Sequence, residues 1–225
     1  MDKKIDFSFA DNVPEAVLIQ QKLRNRVSSI FPFDDSSVHL VAGVDTAYNG
    51  KNQALAVVVV LSFPELEPLE VVVEKSQVTF PYIPGFLSFR EGPAVEKALS
   101  RLRLTPHIFF FDGQGIAHPR FLGLATHLGV LFDVVSIGVA KKPLIGKFVQ
   151  PHWRRGSYSW LEYQRWVLGG ALRTRDRVKP VFVSPGNRIG VVKSLEWALK
   201  VGGKYRLPEP TRLAHYYTQK FKLKT

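Results

Sequence analysis

The chain has 225 residues, 45% hydrophobic and 22% charged, enough apolar content for one sizeable mixed α/β core and too much for an intrinsically disordered chain. Lys and Arg number 31 against 19 Asp and Glu, a formal +12, and the cations are scattered along the chain, which points to nucleic acid ahead of an acidic membrane surface. With no cysteine, thiolate nucleophiles, disulfides and Cys-built zinc sites are excluded, so any metal must sit on oxygen or imidazole.

The first twelve residues carry no apolar signal-peptide core, and the longest apolar run, residues 54–61, is far shorter than the roughly 18 residues of a membrane span. The expectation is a cytoplasmic protein without a membrane partner. Residues 14–28 place Val17, Leu18, Leu23 and Val27 among polar residues at helical spacing. Three β-rich segments follow, residues 38–48, 53–63 and 69–80, divided by turn-forming Asn-Gly-Lys-Asn and Pro-Glu-Leu-Glu-Pro, which predicts an antiparallel meander. Residues 54–61 are apolar without alternation, as in a central strand covered on both faces.

Beyond Pro84-Gly85, Leu87, Ala94, Val95, Ala98 and Leu102 recur at helical intervals, with an interruption or kink expected near Gly92-Pro93. Residues 107–111 read as a strand, 121–131 as a helix and 134–139 as a second strand, an order that calls for parallel strands with a crossover. Strands over 166–173 and 180–184, a helix over 189–201 ended by Gly202-Gly203, and a last helix starting near Pro210-Thr211 complete the chain. Residues 153–166 mix Trp153, Tyr158, Trp160, Tyr163 and Trp166 with arginines, a composition that suits base stacking or the edge of a hydrophobic core. With no repeat or linker, a single domain over 1–225 is expected, its core roughly 38–219, with a mixed sheet flanked by helices.

Two aspartates stand where apolar strand residues run out, Val-Ala-Gly-Val-Asp45 and Ile-Phe-Phe-Phe-Asp112. They would meet beyond the strand ends if their strands are neighbours, and a divalent cation would relieve their repulsion. Each also has a plain reading, Asp45 as a turn residue and Asp112 as a helix or Asx cap. Glu91 taken alone reads as a solvated helix residue, and His215 as a satisfied histidine on a helix face. The chain lacks a phosphate-binding Gly-x-x-x-x-Gly-Lys-Ser/Thr, since Gly146-Lys147 is followed by Phe148, and lacks His-Glu-x-x-His and Gly-x-Ser-x-Gly. No nucleotide cofactor is expected.

Several ordered blocks carry a resemblance that spacing does not. Pro81-Tyr82-Ile83-Pro84-Gly85, Phe89-Arg90-Glu91-Gly92-Pro93, Phe111-Asp112-Gly113-Gln114-Gly115, Ala117-His118-Pro119-Arg120, Ile137-Gly138-Val139-Ala140-Lys141, Val183-Ser184-Pro185-Gly186 and Pro208-Glu209-Pro210-Thr211-Arg212-Leu213-Ala214-His215 together resemble endonuclease V, over roughly residues 41–219. The resemblance implies an RNase H-like fold, with Asp45, Glu91 and Asp112 as carboxylate ligands of Mg²⁺, Mn²⁺ serving as well. It implies that His215 orients or activates the attacking water or lies at the edge of the metal shell, and that Lys141 faces the scissile phosphate. Tyr82, held between Pro81, Ile83 and Pro84, would act as a wedge at the lesion, the alternative being a hairpin end with Tyr82 packed on the core.

Gly85, Leu87, Gly113 and Leu124 match positions lining a hypoxanthine pocket, and His118 has a supporting, DNA-contacting or purely structural role. Arg90, Arg120, Lys141, Lys142, Lys147, Arg154, Arg155, Lys220, Lys222 and Lys224 are candidate phosphate contacts. The resulting expectation is a monomeric, Mg²⁺-dependent endonuclease that finds deoxyinosine in DNA and cuts on its 3′ side, leaving a 3′-hydroxyl and a 5′-phosphate. The alternatives are an inosine-specific ribonuclease acting on inosine-containing RNA, a structure-specific nuclease, and a nucleic-acid-binding protein without catalysis.

Overall fold

A computed structural model describes residues 9–32, 34–50 and 52–222, which leaves Lys224 and the first eight residues outside the description. One eight-stranded sheet runs through these residues in the order β3-β2-β1-β4-β5-β8-β7-β6. Its strands are β1 Leu40–Asn49, β2 Gln53–Ser62, β3 Pro68–Gln77, β4 Ile108–Asp112, β5 Val135–Ala140, β6 Tyr158–Tyr163, β7 Trp166–Leu172 and β8 Val181–Asn187. The expected meander forms β1–β3, and β1, β4 and β5 are the expected parallel centre. Strands β5, β8, β7 and β6 then pair antiparallel in turn.

The helices are α1 Val13–Arg24, α2 Leu87–Ser100, α3 Leu124–Leu131, α4 Val191–Lys200 and α5 Glu209–Lys222. This mixed sheet with helices on both faces is the RNase H-like class anticipated above. Residues 54–61 of β2 are all buried, because α5 covers one face and α2 the other, although β2 stands one strand in from the edge. No helix among the described residues is long and apolar enough to cross a membrane.

Several sequence expectations need correction. Helix α1 ends at Arg24, with Asn25 closing it, not at residue 28. Helix α2 runs through Pro93 without interruption, and Ala94, Val95 and Ala98 beyond it pack into the sheet and beside Phe9. Helix α3 begins at Leu124, since residues 121–123 form the turn that returns over Gly115. Strand β6 was not expected at all: its exposed Tyr158 and Trp160 and buried Leu161 alternate as a half-covered edge strand does.

Apolar packing sets which helix meets which strand. On one face, Ala42, Val44, Phe109 and Phe111 of β1 and β4 meet Ala94, Val95 and Ala98 of α2 and Leu124, Ala125 and Leu128 of α3. On the other, Val41, Val57, Val59, Ile137, Val139 and Val183 meet Leu195, Trp197 and Ala198 of α4 and Ala214 of α5. Gly43 lets the start of α5 lie directly on β1: a Cβ there would stand 1.9 Å from the Pro210 carbonyl oxygen. That contact sets the axis of α5, and with it the height of His215 over β1.

Candidate active site

Asp45 lies within β1, opposite Val57 of β2, and not at the strand's end. What stops there is the pairing with β4, whose last matched row is Val44 with Phe111. Asp45 and Asp112 each follow that row, so the two carboxylates stand side by side at the carboxyl edge of adjacent parallel strands. Ligand atoms of Asp45, Asp112 and His215 lie within 4.8 Å of one another, and they form a candidate metal centre.

Glu91 reaches the same region from α2, buried to 6% exposure, and accepts a hydrogen bond from the Tyr48 hydroxyl at 2.9 Å. Its carboxylate is not among the three clustered groups. Burial pushes Asp45 above the usual carboxylate range, and the neighbouring Asp112 charge adds to this. Glu91 is pushed up to about 7, chiefly by burial and further by Asp45 and Asp112, against hydrogen bonds from Thr46 and Tyr48. Uncompensated negative charge is thus costly here.

The second oxygen of Asp45, Oδ2, has two partners on α5. His215 Nδ1 lies at 3.0 Å and the hydroxyl of fully buried Thr218 donates at 2.7 Å. Against a carboxylate Nδ1 must carry the proton, which leaves Nε2 of a neutral His215 as an acceptor. Thr218 was missed in the sequence. Its three-residue offset from His215 puts both on one helix face, the only signal available. Lys141, just past the end of β5, donates to Asp112 Oδ2 at 2.8 Å and is otherwise exposed.

Tyr82 is 71% exposed, so the residues 81–84 present it to solvent and not to the core. Gly85 follows in the left-handed region at φ +84°, and its carbonyl accepts from Gln20 Nε2 (3.0 Å), His118 Nε2 (2.9 Å) and Arg120 Nη2 (2.7 Å). His118 is pushed down to about 4 by burial and then by Arg120, hence neutral, with Nε2–H donating to Gly85 and Nδ1 accepting from the Arg120 amide. This gives His118 a bracing contact beneath Gly85.

Two cavities adjoin this brace and share Gly85, Leu87, Gln114 and Leu144. The smaller, about 50 Å³, also has His118 and Leu124 in its wall, and the larger, about 300 Å³, has Tyr82 and Gly113. All the expected pocket residues therefore come together. Gln114 was not singled out in the sequence. Its Nε2 donates to the Lys142 carbonyl at 3.0 Å, and its buried Oε1 has no donor among the described residues.

Among the cations expected to meet phosphate, Lys141 is paired with Asp112 and three more are already engaged. Arg120 braces Gly85 and bonds Gln20, Arg90 donates to the Phe80 carbonyl at 2.8 Å, and Arg155 donates to the Leu199 carbonyl at 3.1 Å. Lys142, Lys147, Arg154, Lys220 and Lys222 are exposed.

Comparison with known proteins gives a consistent result. The family described as Endonuclease V matches residues 21–216. Endonuclease V of Dictyoglomus thermophilum is 48% identical over 206 residues, covering 92% of this chain and 89% of that protein. The crystal structure of Endonuclease V from Streptomyces avermitilis superposes with a TM-score of 0.91 at 38% identity, covering 96% of each chain. Endonuclease V of Ciona intestinalis, solved in complex with a 24mer DNA containing an inosine followed by a ribo-adenosine, superposes with a TM-score of 0.82 at 27% identity, covering 94% of this chain and 97% of that one.

Proposed function

The chain belongs to the endonuclease V family, a family of nucleases, and from that premise we propose that it recognises deoxyinosine in DNA and hydrolyses a phosphodiester on the 3′ side of the lesion. The products are a 3′-hydroxyl and a 5′-phosphate. The reading assigns Asp45, Glu91 and Asp112 to a divalent ion, Mg²⁺ with Mn²⁺ as a substitute, in a monomeric single domain over residues 1–225 with its core at roughly 38–219. The observation that carries it is the convergence of the Asp45, Asp112 and His215 ligand atoms within 4.8 Å at the edge of two parallel strands.

The donor set fits a hard cation, because carboxylate oxygens suit Mg²⁺ and Mn²⁺. The upward displacement of Asp45 and Glu91 supports this, since a cation would offset the mutual repulsion that burial magnifies. Such an ion, when bound, activates water and stabilises charge on phosphate oxygens. His215, held on Asp45 through Nδ1, offers Nε2 to orient the attacking water or take its proton. Lys141, paired with Asp112, stands ready to offset charge developing on the phosphate.

The substrate side follows the same logic. Exposed Tyr82, stiffened by Pro81 and Pro84, wedges into the stack and displaces the lesion base. Gly85, Leu87, Gly113 and Leu124 then line the pocket for hypoxanthine, whose O6 accepts where adenine's amino group donates, so a backbone N–H aimed there favours inosine. The test is cleavage of an end-labelled duplex with one deoxyinosine, with Mg²⁺ or EDTA, beside Asp45→Ala. A Mg²⁺-dependent nick 3′ of the lesion, lost in the variant, supports the proposal; binding without cleavage refutes its catalytic part. An inosine-specific ribonuclease is the second reading, favoured by the ribo-adenosine after the inosine in the Ciona complex. Cleavage of the RNA counterpart alone would select it.

A further inference from the structure

Strand β6 is the last strand of the sheet, its outer edge met by Lys147, which pairs with Glu162 through two backbone hydrogen bonds, and its two faces differ. Leu161 is buried against Leu168, Ala171 and Phe182, while Tyr158 (46% exposed) and Trp160 (37%) point the other way, their rings 4.9 Å apart and edge to face. Helix α4 packs over β7 and β8, and the two rings lie beyond it. Across the strands, Asp112 pairs with Val139, Val139 with Val183, Val183 with Gly170, and Gly170 with Trp160. Paired residues project to one face, so Trp160 shares both the row and the face of Asp112, four strand spacings or roughly 19 Å away.

The surroundings are cationic. Residues 150–180 hold seven Lys or Arg against two Asp or Glu. Trp153, 42% exposed, has the guanidinium groups of Arg154 and Arg177 each 5.3 Å from its ring centre. Arg206 ties this region to the catalytic edge, donating to the carbonyls of Lys141 (3.0 Å) and Pro180 (2.8 Å). Exposed aromatic rings on an arginine-rich stretch match a polyanion with stackable bases in both features.

We propose that Trp153, Tyr158 and Trp160, with Arg154 and Arg177, form a second nucleic-acid-binding surface that stacks unpaired bases of the substrate strand away from the catalytic centre. It rests on the nuclease reading for its partner but not for its geometry. The distance corresponds to between five and six nucleotide steps at ~3.4 Å each, so only a strand that extends at least that far past the cut engages it.

The test measures binding of undamaged single strands of 5 and 20 nucleotides in EDTA, by tryptophan quenching and anisotropy, for the wild type and Tyr158→Ala/Trp160→Ala. Stacking of about 1–3 kcal/mol per base predicts a loss of roughly tenfold or more on the 20-mer and a loss on the 5-mer as well, since an unanchored short strand reaches the rings directly, with Trp160→Phe retaining most of the affinity. On a long inosine substrate KM should rise while kcat holds. An unchanged affinity for both strands overturns the proposal, as does a wild type that self-associates through this face until the rings are removed. Should the double variant not fold, Arg154→Glu/Arg177→Glu carries the same comparison. Because binding is read without lesion or metal, failure of the nuclease assignment leaves this result separately legible.

Discussion

Replacing Thr218 by Val tests whether α5 sets the metal-facing geometry of Asp45. The hydroxyl donates to Asp45 Oδ2 at 2.7 Å and is fully buried, and Val keeps nearly the same shape without the donor. A hydrogen bond to a charged group contributes about 1.5–3 kcal/mol, and here it stabilises the ionised carboxylate that a cation requires. Its loss leaves Oδ2 with His215 alone, lets the carboxylate rotate, and favours the protonated form already promoted by burial. Divalent-ion affinity should therefore fall by roughly ten- to a hundredfold, at about 1.4 kcal/mol per decade. Calorimetric titration with Mg²⁺, and Mn²⁺ titration followed by EPR, read this directly, and Thr218→Ser should restore the affinity. A Val variant that binds metal as the wild type does, with an unchanged thermal midpoint, would refute the reasoning.

Glu91, raised to about 7, keeps its proton between pH 4.5 and 7 while the unfolded chain has released it, so its contribution to stability declines as pH rises through that window. In metal-free protein the decline amounts to ~3 kcal/mol at 1.36 kcal/mol per pKa unit, and urea unfolding of Glu91→Gln against wild type should show the difference vanish. His127 behaves oppositely: burial pushes it down to about 3 and Ser88 holds its Nδ1 at 2.8 Å, so acid below pH 6.5 protonates the unfolded chain first and erodes stability. Acid unfolding of His127→Asn should show a shallower slope over pH 4–6.5. Gly43→Ala forces a Cβ against the Pro210 backbone and should cost roughly 1–3 kcal/mol, a fall of several degrees in the thermal midpoint, along with metal affinity as α5 lifts. Tyr82→Ala, at an exposed position, should leave the midpoint unchanged while lowering cleavage at inosine, and a large loss of stability would contradict the exposed wedge.

Much of the fold was legible because it depends on local periodicity. The unalternating residues 54–61 are a buried strand, and the switch from β-rich segments to helix–strand alternation became a sheet that changes from antiparallel to parallel. Boundaries moved where a cap or turn intervened, as at Asn25 and at residues 121–123. The antiparallel edge formed by β6 and β7 was half missed, since exposed aromatics on an edge strand give no clean apolar alternation. The same stretch, ambiguous as sequence between base stacking and core edge, divides in the structure: Leu161 and Tyr163 pack inward and Tyr158 and Trp160 stay out.

Composition alone pointed to a polyanionic partner and limited any metal to oxygen or nitrogen ligands, because charge balance and the lack of thiols do not depend on conformation. Ordered motifs carried the family, since each is a short contiguous block. Only the tertiary structure decided that Asp45 and Asp112 sit on adjacent strands, that Thr218 and His215 hold the same carboxylate oxygen across 173 and 170 residues, and that Arg90 and Arg120 are spent on internal carbonyls. Those outcomes depend on strand order, on a missing Cβ at Gly43 and on the burial that raises Glu91, and none of these is a property of neighbouring residues in the chain.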